Sequence, residues 1–240
     1  MATLSIQERK RLRQIGHALN PVVMLGDKGL TESVVEELNR ALNDHELIKV
    51  KIAGEDREAR TATITEIAET TGAEVVQTIV GAIEQVNPYT LNVGYWLRDP
   101  NQFIVYPEPV TAHPRQDFLW ENTCFEIFIG VQGEDQYREV NLSPSQAWQA
   151  YQFEEYRYPE NMPPVVAYDI ELNQLKRTHY GLNVSLDLTE FMLAHKLKWS
   201  DLFIGLSAVL NTTQGQHFFA MQHSGQQADF HNKRDWLHTF

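Results

Sequence analysis

Two groups of residues in this chain combine side-chain types and spacing that could do chemistry. The first is the stretch "PVVMLGDKGLTESV", residues 21–34, where an apolar run ends in Gly26-Asp27-Lys28-Gly29 and passes straight into an amphipathic pattern. A glycine turn between a strand and a helix lets another backbone approach without hindrance from Cβ atoms. The helix behind it offers unpaired N–H groups and the positive end of its dipole. Lys28 adds a mobile cation, so the chemistry suited to this turn is the holding of phosphate. A bare GxxG is common by chance, and its weight here comes from its neighbours. Arg9, Lys10, Arg11 and Arg13 cluster upstream, and Lys49 and Lys51 follow downstream.

The second group lies in the last two thirds of the chain. In "LNVGYWLR", Leu91, Val93, Tyr95 and Leu97 alternate with Trp96 and Arg98; in "TCFEIFI", Phe125, Ile127 and Ile129 alternate with Glu126. In "YREVNLS", Val140 and Leu142 alternate with Tyr137, Glu139 and Asn141. If the aliphatic set is core, the other face is expected to gather Trp96, Arg98, Glu126, Glu139 and Asn141, with Trp148, Tyr151, Arg157 and the C-terminal "HSGQQADFHNKRDW" nearby. Aromatic rings beside carboxylates and amides suit sugars, whose rings stack while their hydroxyls need partners. Glu126 and Glu139 also invite a glycosidase reading, which needs carboxyls ~5–10 Å apart. Carboxylates on neighbouring strands are common, however, and a non-catalytic face is the expectation. Cys124 reads as a small buried hydrophobe rather than a nucleophile.

No cofactor or metal is expected. Met221, His223 and His231 could ligate haem, yet no spacing favours them, and His17 and His45 read as packing or capping residues. A G-x-S-x-G elbow, a P-loop and a dinucleotide fingerprint are all absent from the sequence.

The elements that must position these residues change character near residue 82. Before it, strand and helix alternate. Ser5 and Glu8 read as a capping box ahead of "RKRLRQIGHAL", and "PVVML" is a strand. "TESVVEELNRALNDH" places Val34, Val35, Leu38, Ala41 and Leu42 on one helical face. "ELIKVKI" alternates, "DREARTATITEIAETTG" is a helix stopped by Gly72, and "AEVVQTIV" is a third strand. The order is α-β-α-β-α-β, an α/β sandwich over residues 1–82. Residues 83–240 carry many short strands, "QFIVY" and "VVAYDIEL" among them, separated by turn residues, the pattern of an all-β sandwich. Only "TEFMLAHKL" reads as helical there.

Charge sharpens the division. The chain has 20 Lys plus Arg against 32 Asp plus Glu, net −12, which argues against non-specific coating of nucleic acid or anionic membrane. Residues 1–82 hold ten basic and thirteen acidic side chains, so most of the negative excess lies in residues 83–240. A basic surface can therefore coexist with an acidic whole. One cysteine excludes an internal disulfide framework and suits a reducing compartment. Without a signal-peptide core or an apolar run of spanning length, the expectation is a cytoplasmic protein with no membrane partner.

The first third also resembles a CRM domain of the bacterial YhbY type. The resemblance rests on the opening "ERKRLR", "HALNPVV", "GDKGLT" and "HELIKVK", in that order and spacing. It implies a fold like the C-terminal domain of translation initiation factor three and binding of RNA, associated in bacteria with ribosomal RNA in precursors of the large ribosomal subunit. It makes Gly26, Asp27, Lys28 and Gly29, flanked by Arg9, Lys10, Arg11 and Arg13, the RNA-contacting residues. Relatives continue after "VQTI" with another strand usually ending in a Tyr-Arg pair; here "VGAIEQVNPY" follows, so that strand is missing or replaced. The segments "FLWENTCFEIFIGV", "QYREVNLSPSQAWQAYQF", "GLSAVL" and "DFHN" resemble bacterial DOMON-like proteins related to family-nine carbohydrate-binding modules. That resemblance implies binding of a sugar or of haem. The leading expectation is a non-catalytic RNA-binding protein with an appended ligand-binding or interaction domain. The alternative is a carbohydrate or small-ligand module whose CRM portion is vestigial.

Overall fold

The computed structural model describes the whole chain except residues 1–3, 5–7, 9–10, 13–14, 17–18, 20, 27–28, 53–56, 76–78, 98, 100–101, 179–180 and 226–227. It divides into two compact units, Met1–Ala82 and Ile83–Phe240.

In the first unit Glu8, Arg11, Leu12, Ile15 and Gly16 have helical backbone. β1 (Pro21–Leu25) pairs in parallel with β2 (Lys49–Ile52), and between them runs α1 (Glu32–His45). Thr31 caps α1 by accepting from the Val34 N–H at 3.4 Å. The apolar stripe of α1 buries Leu38 and Ala41 against Val23 and Leu25 of β1, with Ile48, Val50 and Ile52 packed around them. α2 (Arg57–Thr71) stops where Gly72 takes φ +69°, the left-handed conformation that a helix C-terminus favours and glycine adopts freely.

The expected third strand of this unit is shifted. Ala73–Val75 are not strand, and β3 instead spans Ile79–Asn87. It pairs with β4 (Thr90–Leu97) in a four-stranded sheet of order β3-β4-β9-β8. The reason is local. The Asn87 side chain accepts from the N–H groups of Tyr89 and Thr90 at 3.0 and 2.8 Å, with Pro88 between them. This Asx turn makes a short hairpin, which costs far less loop entropy than pairing with a distant strand.

The second unit stacks that sheet on a six-stranded one of order β11-β10-β5-β6-β7, with β12 (His238–Thr239) added to β10. Its strands are β5 (Cys124–Val131), β6 (Tyr137–Leu142), β7 (Trp148–Phe153), β10 (Leu202–Thr212) and β11 (Gly215–Ala220). β8 (Glu171–Thr178) and β9 (Gly181–Asp187) complete the smaller sheet, and "TEFMLAHKL" supplies the short helix α3 (Thr189–Ala194). Leu91, Val93, Tyr95 and Leu97 face Phe125, Ile127 and Ile129; Tyr95 and Phe125 have ring centroids 4.9 Å apart. "QFIVY" is not a strand, only a bridge from Ile104 to Thr212. The eighth strand lies in "ELNQLKRT" rather than "VVAYDIEL". As a sheet edge it buries only Leu175 and so lacks alternation.

Every residue of β5 is buried, so the six-stranded sheet is covered on both faces. The second cover comes from Trp120, Phe230 and Trp236, packed on Phe128, Tyr137, Tyr151 and Phe153. Trp236 stacks on Phe128 at 5.1 Å and donates its indole N–H to the Phe230 carbonyl at 2.7 Å. It lies so close over Gly205 of β10 that a Cβ there would sit 2.3 Å from the indole. Gly205→Ala is therefore expected to destabilise the protein by about 1–3 kcal/mol through overpacking; chemical denaturation of the variant beside the wild type measures this.

Candidate functional site

In the first unit the chain leaves β1 at Leu25 and turns at once. The Gly29 N–H donates to the Gly26 carbonyl at 3.0 Å, closing a four-residue turn. Gly29 holds φ +63°, where any side chain is strained. Thr31 then caps α1, so two residues separate the end of the turn from a fourteen-residue helix. Among the described residues no heavy atom lies within 4 Å of where a Cβ would stand on Gly26 or Gly29. Both glycines thus border open space. Because β1 and β2 are parallel, their C-terminal ends, the turn and the N–H groups that open α1 all fall at one end of the sheet, the end at which open α/β sheets place ligands. Arg11 is exposed on helical backbone. Asp27, Lys28, Arg9, Lys10 and Arg13 lie outside the described residues.

The second unit handles its candidate residues differently. Glu126, Glu139 and Asn141 share one face of the large sheet, Glu126 directly opposite Asn141 on the neighbouring strand. That face is the one the aromatic cover closes, and the carboxyl side chains are 3% and 5% exposed. Ser207 donates its hydroxyl to Glu126 at 2.7 Å, and Asn141 donates its amide to Glu139 at 2.8 Å. Burial raises the pKa of both carboxyls, and for Glu126 the charge of Glu139 adds to the effect.

Tyr137, His231 and Arg157 continue the network. Arg157 donates its backbone N–H to the Tyr137 hydroxyl at 3.1 Å. Tyr137 stands 2.6 Å from His231 Nδ1. Burial, helped by the Arg157 charge, pushes the His231 pKa down to about 3, so the imidazole is neutral. His231 Nε2 faces Glu139 at 3.5 Å.

Of the residues expected on this face, Tyr151 lies opposite Glu139 and donates its hydroxyl to Asp117 at 2.9 Å. The guanidinium of Arg157 pairs with Asp229 at 3.0 Å. Two residues are elsewhere. Trp96 belongs to the four-stranded sheet and turns away from its core, its ring lying over Gly94. Trp148 pairs with Leu142, on the other side of the large sheet from the carboxylates, and carries the Arg115 guanidinium 4.2 Å from its ring. Alternation does not say which sheet the strand of Trp96 joins; Trp148, three residues from Tyr151 on one strand, falls on the opposite face by alternation itself. Arg98 lies outside the described residues. Tyr137 shares the face of Glu139 as its strand alternation leads one to expect, and Asp229 and His231 come from the C-terminal run expected near it. Ser207 and Asp117 belong to the network without having been expected there.

A surface cleft of about 470 Å³ is lined by Glu134, Asp135, Gln136, Arg138, Gln152, Phe153 and Glu154, and neither buried carboxylate borders it. Among the described residues no group of three or more His, Cys, Asp or Glu side chains is arranged to hold a metal ion. No helix among them is long and apolar enough to cross a membrane.

Residues 4–83 match the CRS1 / YhbY (CRM) domain model. Over 79 residues the chain is 54% identical to a protein of Haemophilus influenzae named "RNA-binding protein", covering 33% of this chain and 80% of that one. Over 76 residues it is 46% identical to "Probable RNA-binding protein PA4753" of Pseudomonas aeruginosa, covering 32% and 73%. Through these residues the chain belongs to the CRS1 / YhbY (CRM) domain family. A solved structure from Bacteroides uniformis, provisionally named a carbohydrate-binding protein, aligns with 73% of this chain and 89% of its own at 11% identity and a TM-score of 0.47.

The buried carboxyls carry a pH signature. Both have pKa values raised in the folded state, so the native protein holds protons that the unfolded chain gives up. Stability is full below the ordinary glutamate value of 4.5 and falls as pH rises through the raised values. Glu126→Gln keeps an acceptor for Ser207 and removes one titration. The melting temperature of this variant should fall less with rising pH than that of the wild type, with a gain on the order of 1–2 kcal/mol at weakly alkaline pH. Parallel pH slopes for the two proteins would contradict the assignment.

Proposed function

We propose that this chain is a non-catalytic, cytoplasmic RNA-binding protein whose first unit grips the RNA backbone. The observation that carries the reading is the closed Gly26–Gly29 turn. It opens on free space and leads into the N-terminus of α1, in a segment 54% identical to a protein named for RNA binding. Backbone N–H groups and the helix dipole favour an anion at that end. Lys28 and Arg11, with Arg9, Lys10 and Arg13, are the basic residues assigned to the phosphates in this reading. Ribosomal RNA, in a precursor of the large ribosomal subunit, is the proposed target. The acidic total charge weighs against indiscriminate nucleic-acid binding.

The second unit is proposed as an interaction module for a ligand or partner. Its two buried glutamates are read as structural: both are hydrogen-bonded under an aromatic cover, and neither borders the surface cleft.

The test is a titration of labelled single-stranded RNA together with co-sedimentation of the whole chain with large-subunit precursors. Log affinity should fall with log salt by about 0.7 for each phosphate contacted. The triple variant Arg11→Glu, Arg13→Glu, Lys28→Glu should flatten that slope by about 2 while leaving the melting temperature near the wild-type value. Gly26→Ala should fold normally, because its Cβ meets nothing, yet weaken RNA binding by filling the space the RNA backbone needs. Unchanged affinity in both variants contradicts the assignment.

A further inference from the structure

The parallel ladder of the first unit sorts its side chains by face. Val23, Leu25, Ile48, Val50 and Ile52 turn toward α1. Alternation sends Val22, Met24, Lys49 and Lys51 the other way. Met24 lies directly opposite Lys51 on the neighbouring strand, as Leu25 lies opposite Ile52. Val22 and Met24 are 47% and 68% exposed, high values for aliphatic side chains on a strand. Lys49 and Lys51 are half-buried. Among the described residues neither lysine has a hydrogen bond or ion pair. Burial lowers the pKa of each.

Two half-buried ammonium groups lacking an anion are electrostatically costly, and the cost falls when an anion arrives. The exposed Met24 and Val22 beside them have no polar function to satisfy. Such a face matches a polymer that offers negative charge along its backbone and flat apolar surface between the charges. The position agrees as well. Met24 is two residues before Gly26, and Lys51 stands beside it at the end of the sheet from which the glycine turn emerges.

We propose that the open face of the β1–β2 ladder is a second RNA contact, continuous with the glycine turn: Lys49 and Lys51 hold phosphates, while Met24 and Val22 pack against ribose or base. The proposal rests on the reading of the first unit as an RNA-binding domain and extends the contact from the turn onto the sheet. A single strand is the form of RNA it fits, because a duplex keeps its bases stacked inside and offers no apolar surface to Met24.

The experiment uses the full chain and a fluorescein-labelled single-stranded RNA of mixed sequence, titrated by anisotropy over a range of KCl concentrations. Lys49→Gln with Lys51→Gln should weaken binding at low salt and flatten the slope of log affinity against log salt by about 1.4, two phosphates' worth. Lys49→Arg with Lys51→Arg should keep the wild-type slope. Acylation of surface amines, read by mass spectrometry, should show Lys49 and Lys51 protected when RNA is bound; this needs no variant to fold. Met24→Ala should weaken single-strand binding and leave binding of a duplex of the same sequence unchanged.

A wild-type slope in the glutamine variant, together with unprotected lysines, overturns this proposal. If Gly26→Ala still weakens binding in that case, the turn remains the RNA site and only the sheet face is lost. If the wild-type chain shows no salt-dependent RNA binding, both readings fall together.

Discussion

The parallel pairing of β1 with β2 is the constraint on which the first unit depends. Four residue pairs fix it, and the bulge between Pro21 and Val23 sets the phase of every side chain that follows. A slip of one residue would carry Val23 and Leu25 out to solvent and push Met24 against α1. Because the strands run the same way, the connection between them must cross over, and α1 is that crossover. The same geometry places the glycine turn and the helix N-terminus at the C-terminal end of the sheet. The binding chemistry proposed for this unit follows from strand direction, with glycine at residue 29 supplying the left-handed backbone of the connection.

The second unit obeys a different constraint. Its large sheet is covered twice, once by the smaller sheet and once by an aromatic layer drawn from residues 118–120 and 230–236. Carboxylates that would otherwise lie on an open binding face become interior groups that need partners. Ser207, Asn141, Tyr137 and His231 are arranged to supply them. Lys233 ties the cover down by donating to the carbonyls of Glu134, Asp135 and Gln136. A face with the composition of a sugar site is thereby a second, polar core.

Much of this was legible from residue types. The strand–turn–helix order around Gly26, the Leu38 and Ala41 stripe, and the alternation of "TCFEIFI" all follow from period and turn chemistry, which act locally. Three features were not legible. The strand β3 joins the four-stranded sheet because Asn87 and Pro88 make a hairpin, a competition between partners that no single segment reveals. The edge strand β8 has too few buried residues to show a pattern. Trp96 alternates as expected on its own strand, but that strand joins the four-stranded sheet, away from the carboxylates. Sheet membership is a long-range property, and side-chain periodicity carries no information about it.

The central claim is that RNA meets the first unit at the glycine turn. Ultraviolet cross-linking of bound RNA to the intact chain, followed by mapping of the modified peptides, tests it most directly. The account predicts cross-links within residues 21–31 and in the strand containing Lys49 and Lys51. Cross-links confined to residues 83–240 would contradict it.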